Sequence, residues 1–293
     1  MKSFALIILA IISSYCLSCR TVFHMDDAKE GPTIPALWVE RPQEGKEKAV
    51  VILLHGLNLK PQKMDDWASA LRDSGAIVMR LALFGHQAVG PMRDVSAEIW
   101  RKQFDQAAKE ANRLAKKDGL PLYFMGFSLG ALVGLEWLAQ SDNDGPKIER
   151  MVLVAPALAT PWYSKTVLLM FTIFGKGFSL PSRSPKEYRA NNGSSLAAYK
   201  ALFDLINSLK SHNYKNANIP SLVVMDKHDE LVPYKAIKQI ISERHLGQWK
   251  LDIVDNKVAE QNYGFRHLLV DRQSVGQTLF LDIIAKVKQH LRL

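Results

Sequence analysis

The residue best suited to covalent chemistry is Ser128, in the stretch YFMGFSLGALVG from Tyr123 to Gly134. It stands between Gly126 and Gly130, directly after an apolar run and directly before a helical one. A strand, a tight turn and a helix in that order lift a hydroxyl out of the sheet edge, where it can act as a nucleophile. The two glycines permit the turn, because a side chain at either position would collide with neighbouring backbone. The helix that follows aims backbone N–H groups and the positive end of its dipole at the same point. Glycine and serine are also ordinary turn residues, so the pattern gains weight only from what surrounds it.

The elements that would position Ser128 follow from the apolar pattern. Short, β-branched, nearly continuous apolar runs occur at 49–54 (AVVILL), 76–82, 122–125 (LYFM), 151–156 (MVLVAP), 221–225 (SLVVM) and 250–254. Such runs suit strands buried on both faces. A shorter run, ALWVER, precedes them as a candidate edge strand. Between them lie helical patterns at 64–73 and 96–117, then after Ser128, after Pro233, and at about 272–290. Strands alternating with helices predict an α/β fold, a mostly parallel, doubly wound sheet of about seven or eight strands.

One interval breaks the alternation. Residues 159–219 separate MVLVAP from SLVVM, far more than a single crossover needs, and so predict an insertion with structure of its own. It contains TVLLMFTIF at 166–174 and LAAYKALFDLINSL at 196–209. The first is either a helix buried against the sheet domain or the apolar inner face of a lid.

Bulk properties set limits. The chain has 293 residues, 47% hydrophobic and 23% charged, with 38 Lys+Arg against 29 Asp+Glu. That is the composition of a globular protein with room for a sizeable core. The basic balance comes without a Lys/Arg block interleaved with aromatics, so no nucleic-acid partner is expected. The opening MKSFALIILAIISSYCLSCR has the basic, apolar and small-residue sections of an export signal over residues 1–19. Both cysteines, Cys16 and Cys19, lie in it, so disulfides and thiol chemistry are not expected in the folded part, 36–293. CLSC resembles a bacterial lipobox, which implies lipid attachment at Cys19 and a place in the cell envelope, periplasmic or anchored. Cys16 departs from that pattern, where an aliphatic residue is usual, and a plain cleaved signal or an uncleaved anchor are the alternatives.

The strand–GFSLG–helix unit resembles the nucleophile elbow of the α/β-hydrolases, and the likeness extends along most of the chain. In that family the acid and then the histidine follow the serine. The resemblance implies Asp229 as the acid, in VVMDKHDELVP, with Val232 and Pro233 behind it. Asp226 stands where the family commonly has glycine, which makes it a rival acid. His267, in NYGFRHLLVD before the final helix, falls where the family's base does. His228 is a minor rival, while His24, His212, His245 and His290 fit less well. The His55-Gly56 pair in ILLHGLN corresponds to the start of the family's oxyanion loop, which assigns backbone N–H donors to Leu57 and Leu129. Without a functional role, His55-Gly56 is a strand-end turn with a packed histidine.

The branch most resembled holds monoacylglycerol lipases, lysophospholipases and serine aminopeptidase-like proteins, marked by a compact lid after the sixth strand and the IPSLVVMD approach to the acid. What the resemblance implies is hydrolysis of carboxylic esters of lipid type by a Ser-His-Asp triad, with no cofactor or metal. The insertion carries eight Lys/Arg against Glu187 and Asp204, which suits an anionic lipid surface. The alternatives are aminopeptidase or acyltransferase activity on the same residues, or a catalytically silent envelope binding protein.

Overall fold

Strands that are apolar on every residue must be covered on both faces, and the computed structural model shows how. It describes residues 37–86, 89–140, 145–159, 164–176 and 178–293. The expected export signal, with Cys16 and Cys19, lies outside these residues. No described helix is long and apolar enough to cross a membrane.

The main sheet uses β1 (Leu37–Glu40), β2 (Ala49–Leu54), β3 (Ala76–Leu81), β4 (Leu122–Phe127), β5 (Ile148–Val154), β8 (Ser221–Asp226) and β9 (Trp249–Val254). Their order is β1-β3-β2-β4-β5-β8-β9, and only the β1–β3 pairing is antiparallel. Every residue of β2, β3, β4 and β8 is buried. Alternate residues of β2 feed two cores: Val50, Ile52 and Leu54 one, Val51 and Leu53 the other. The first core is closed by α2 (Ala97–Asp118), α3 (Leu129–Gln140) and α5 (Leu196–Ser211). The second is closed by α1 (Asp65–Arg72) and α9 (Gln277–Leu291), through Trp67 and Phe280. This is the doubly wound α/β-hydrolase architecture.

Four details differ from the expected pattern. The fifth strand ends at Val154 rather than at Pro156, because Ala155 turns into the left-handed region at φ 44°. The final helix is broken by Gly276 at φ 80° into α8 (Arg272–Val275) and α9. A further helix, α7 (Lys257–Tyr263), fills what read as loop. The insertion leaves after β5, so the strand that the resemblance counts as sixth is fifth in this seven-stranded sheet.

Within the insertion, α4 (Ser164–Phe174) packs on α5, and α5 packs on α3. A short antiparallel hairpin, β6 (Ser179–Pro181) and β7 (Gly193–Ser195), lies between the two helices in sequence. Thus α5 is the helix buried against the sheet domain. The TVLLMFTIF helix rests on top of it and leaves Leu169 51%, Ile173 63% and Phe174 45% exposed. The remaining helix, α6 (Tyr234–Glu243), follows Pro233 as expected.

Candidate active site

β4 runs straight into Ser128, whose φ of 52° is rare for a residue with a side chain. The strain is held by bonds on both sides: Ser128 N–H donates to the Val154 carbonyl at 2.9 Å, and its own carbonyl accepts from Leu132 and Ala157. The flanking glycines are needed for space. A Cβ on Gly126 would lie 2.5 Å from Ala131 N, and one on Gly130 would lie 2.6 Å from the His55 carbonyl oxygen. The turn is therefore pressed against both its own helix and the end of β2.

The topology brings the other residues to the same place. β2 and β4 are neighbours where the strand order reverses, the usual ligand-binding crevice of such sheets. Loops after β8 and β9 bring in Asp229 and His267. His267 Nε2 lies 3.0 Å from Ser128 Oγ, and His267 Nδ1 lies 2.7 Å from Asp229 Oδ2. The imidazole is 4% exposed and flanked by Phe127 and Phe265, with ring centroids at 5.1 and 6.0 Å. The other Asp229 oxygen accepts from Leu231 N–H and Val232 N–H, both at 2.8 Å. Those two donors fix which oxygen faces the histidine.

Asp226, the rival acid, is also fully buried but faces elsewhere. Its carboxylate accepts from His228 N–H at 2.7 Å, Asn256 N–H at 2.5 Å and Arg266 at 3.3 Å. Arg266 also reaches Asp255 and Glu260. Asp226 therefore ties the β8 end to the segment carrying His267 and does not touch the imidazole. Among the other histidines, His228 and His245 are exposed, and His290 bonds the Met151 carbonyl from α9.

Leu57 follows Gly56, whose added Cβ would stand 3.1 Å from Ser128 Cβ, so the loop abuts the serine. Leu129 opens α3, where a backbone N–H has no acceptor within the helix. His55 is a packed residue with a task. Its Nε2 accepts from Leu83 N–H at 3.0 Å, so the proton sits on Nδ1, which donates to the Gly56 carbonyl at 2.8 Å. Burial, then the neighbouring His86 ring at 4.6 Å, hold its pKa well below the usual histidine value.

Two residues here, Glu230 and His86, had no sequence signal. Glu230 accepts from the N–H groups of Arg266 and His267, at 2.9 and 3.2 Å, and so fastens the histidine loop to the acid loop. His86 Nε2 accepts from Asn58 N–H at 2.9 Å. Burial lowers the His86 pKa to about 4. Nothing in the spacing of these residues announces contacts made by loops 28 or more positions apart.

Two surface clefts lie away from this site. One, of about 250 Å³, opens between α4, α5 and the 93–96 segment. The other, of about 820 Å³, lies near the starts of β2 and β3, at the opposite end of the sheet. Among the described residues no cluster of His, Cys, Asp or Glu is arranged to hold a metal ion.

The fold is shared with known proteins. A soluble variant of monoglyceride lipase from Saccharomyces cerevisiae, solved with a substrate analogue, superposes with a TM-score of 0.70 at 14% identity, over 92% of this chain and 97% of that one. Monoacylglycerol lipase from Paleococcus ferrophilus gives 0.64 at 19% identity, over 87% and 99%. Est1E from Butyrivibrio proteoclasticus, with ferulic acid bound, gives 0.55 at 19% identity, over 85% and 95%. At such identities the likeness concerns the fold. No curated protein sequence matches the chain. Residues 45–257 match the family described as Serine aminopeptidase, S33 (Hydrolase_4). The chain belongs to that family, and is a serine hydrolase of α/β-hydrolase fold.

Proposed function

We propose that the protein hydrolyses carboxylic esters of lipid, acylglycerol or lysophospholipid type, with Ser128, His267 and Asp229 as its catalytic triad. The observation that carries this reading is the unbroken series Ser128 Oγ to His267 Nε2 at 3.0 Å and His267 Nδ1 to Asp229 Oδ2 at 2.7 Å. His267 accepts the Ser128 proton as the oxygen attacks the acyl carbon, and Asp229 orients and stabilises the imidazolium. The oxyanion rests on the N–H groups of Leu57 and Leu129, each worth about 3 kcal/mol in the transition state. His267 returns the proton to the leaving alcohol. It then takes one from the water that cleaves the acyl-enzyme.

The lipid preference rests on the insertion. Leu169, Ile173 and Phe174 of α4 are exposed, and Phe174 stacks on Phe178 at 4.9 Å. With eight Lys/Arg in the same insertion, this surface suits an anionic lipid interface. Residues 1–19 are proposed as the export signal, with Cys19 as the lipid-bearing residue of an envelope protein. The family's description favours an aminopeptidase as the second reading. A peptide substrate would bring a free amine, for which the insertion offers only Glu187 and Asp204 among its acids.

The test is hydrolysis of p-nitrophenyl esters from acetyl to palmitoyl by residues 20–293 and by Ser128→Ala. Activity lost in the variant, with an optimum at medium or long chains, is the expected result. Equal inertness of both proteins sinks the esterase reading and brings peptide and acyl-acceptor substrates forward.

A further inference from the structure

The Ser128 elbow and the histidine loop are each braced by the sheet domain. The oxyanion loop is braced differently, at the residue after Leu57. Asn58 is 3% exposed and sits at φ 53°, a left-handed conformation that asparagine tolerates better than most residues. All four of its polar groups are engaged. Its N–H donates to His86 Nε2 at 2.9 Å, and its carbonyl accepts from Ala190 N–H at 2.9 Å. Its side-chain Oδ1 accepts from Asn191 N–H at 2.8 Å, and its Nδ2 donates to the Asn191 carbonyl at 3.0 Å. Asn191 then closes a triangle, its own Nδ2 donating to the Gly85 carbonyl at 3.0 Å, next to His86.

The partners come from three separate stretches: the loop after β2, the turn at 83–86, and the 188–191 segment of the insertion. Two neighbouring contacts extend the seam. Leu59 forms a β-bridge with Arg189, and Lys60 N–H donates to the Tyr188 carbonyl at 2.8 Å. Tyr188, fully buried, donates its hydroxyl to Asp271 at 2.9 Å, four residues beyond His267. The segment is therefore bonded on one side to the oxyanion loop and on the other to Asp271, at the start of α8 just beyond His267.

We propose that Asn58 is a positioning residue of the oxyanion hole, acting beside His55, and that the insertion contributes to its geometry through the backbone of Asn191. This rests on the esterase reading above. Leu57 N–H can stabilise an oxyanion only if it points to the place where charge develops. Its direction is that of the Gly56–Leu57 peptide plane, whose carbonyl accepts from His55 Nδ1 at 2.8 Å and from Leu59 N–H at 3.3 Å. The bonds of Asn58 to His86, Ala190 and Asn191 anchor the chain on the other side of Leu57 and keep that plane in place. The insertion thus acts on the chemical step as well as on substrate entry.

The experiment compares the purified full chain with Asn58→Gly, Asn191→Ala and the double variant. Glycine adopts φ 53° without strain and keeps the N–H for His86, so Asn58→Gly removes only the side-chain clasp. Measured are kcat and KM for p-nitrophenyl acetate and butyrate, the fraction of Ser128 titrated by a fluorophosphonate, and Ki for a trifluoromethyl ketone that forms a tetrahedral adduct. Asn58→Gly is expected to lower kcat roughly 10- to 100-fold with KM within about twofold, the scale of a small misplacement of a catalytic group. Ki should rise in step with the fall in kcat/KM, as for any loss confined to the transition state. Asn191→Ala keeps the backbone N–H and carbonyl that meet the Asn58 side chain and removes the Nδ2 bond to the Gly85 carbonyl. It should lower kcat about 3- to 10-fold, and the double variant should lose less than the product of the two, because both changes loosen one network.

Unchanged kcat in Asn58→Gly, a loss expressed only in KM, or strictly additive losses overturn the proposal. Should Asn58→Gly fail to fold, Asn58→Asp, which keeps the acceptor for Asn191 N–H and loses the donor to its carbonyl, decides by the same split between kcat and KM. An inert wild type with unlabelled Ser128 overturns the esterase reading and the clasp with it. An active wild type with indifferent variants overturns the clasp alone.

Discussion

Asp226 and Asp229 lie three residues apart, one at the end of β8 and one in the loop beyond it, and they serve different bonds. Asp229 gives Oδ2 to the His267 imidazole at 2.7 Å, whereas Asp226 accepts from Asn256 N–H, His228 N–H and Arg266. Both side chains are fully buried. The division of labour follows from direction alone: the strand end carries Asp226 towards the Arg266 side, and the turn carries Asp229 back over the elbow.

Neutralising the two residues should separate these roles. Asp229→Asn is expected to lower kcat by about 10⁴-fold with the fold intact, since the imidazole loses its orienting acceptor. Asp226→Asn is expected to lower stability by about 2–4 kcal/mol, through the weakened hold on buried Arg266, while kcat falls by less than tenfold. Thermal melts and ester kinetics on both variants check this. A larger kcat loss in Asp226→Asn than in Asp229→Asn would reverse the assignment.

Glu230 tests whether the histidine loop is held from the acid loop. Glu230→Ala removes the acceptor for the N–H groups of Arg266 and His267. Roughly tenfold lower kcat is expected, from a slightly displaced imidazole, with KM little changed. Glu230→Gln, which keeps an acceptor oxygen, should recover most of the loss. If alanine and glutamine behave alike, the bond has no bearing on catalysis.

Acid sensitivity follows from His86. The unfolded chain binds a proton there near pH 6.5, the native protein only near pH 4. Between those values the unfolded state holds more protons, so stability falls as pH is lowered and rises with pH. The gap between those two pH values is worth about 3 kcal/mol. His55, held neutral chiefly by burial and next by His86, acts in the same direction. Urea unfolding from pH 7 to pH 4 should show the decline, and His86→Gln should flatten it. Parallel curves for the two proteins would remove His86 as the source.

The elbow has no room for a methyl group. Gly130→Ala would set a Cβ 2.6 Å from the His55 carbonyl oxygen, and backbone cannot yield as a flexible side chain can. A loss of about 3 kcal/mol or more is expected, along with most of the activity, because β2 and α3 must separate at the site. Differential scanning calorimetry is the check, and a melting temperature within a degree of wild type would contradict the packing described.

Much of this was legible from residues alone. The apolar runs at 49–54, 122–125 and 221–225 became central strands because a segment without a polar face has to be covered on both sides. GFSLG marked the elbow because only glycine fits where a strand, a turn and a helix crowd together. Asp229 and His267 were expected from their order after the serine together with their local settings, Val232-Pro233 behind the acid and the NYGFRH loop before the last helix. Two boundaries were missed for local reasons: Gly276 broke the last helix, and α7 is too short for a periodic signal.

What the sequence by itself determined is the framework and the candidate groups: which runs are buried, where the serine stands, and which acids and histidine lie downstream in the order the family shows. The tertiary structure alone decided which of Asp226 and Asp229 meets the imidazole, and that Asn58, His86, Asn191 and Glu230 brace the site. The reason is physical. Burial and turn chemistry are set by neighbours within a few positions, so they leave a pattern in the chain. A hydrogen bond between loops 28, 37 or 133 residues apart depends on a direction fixed only when every intervening element has packed.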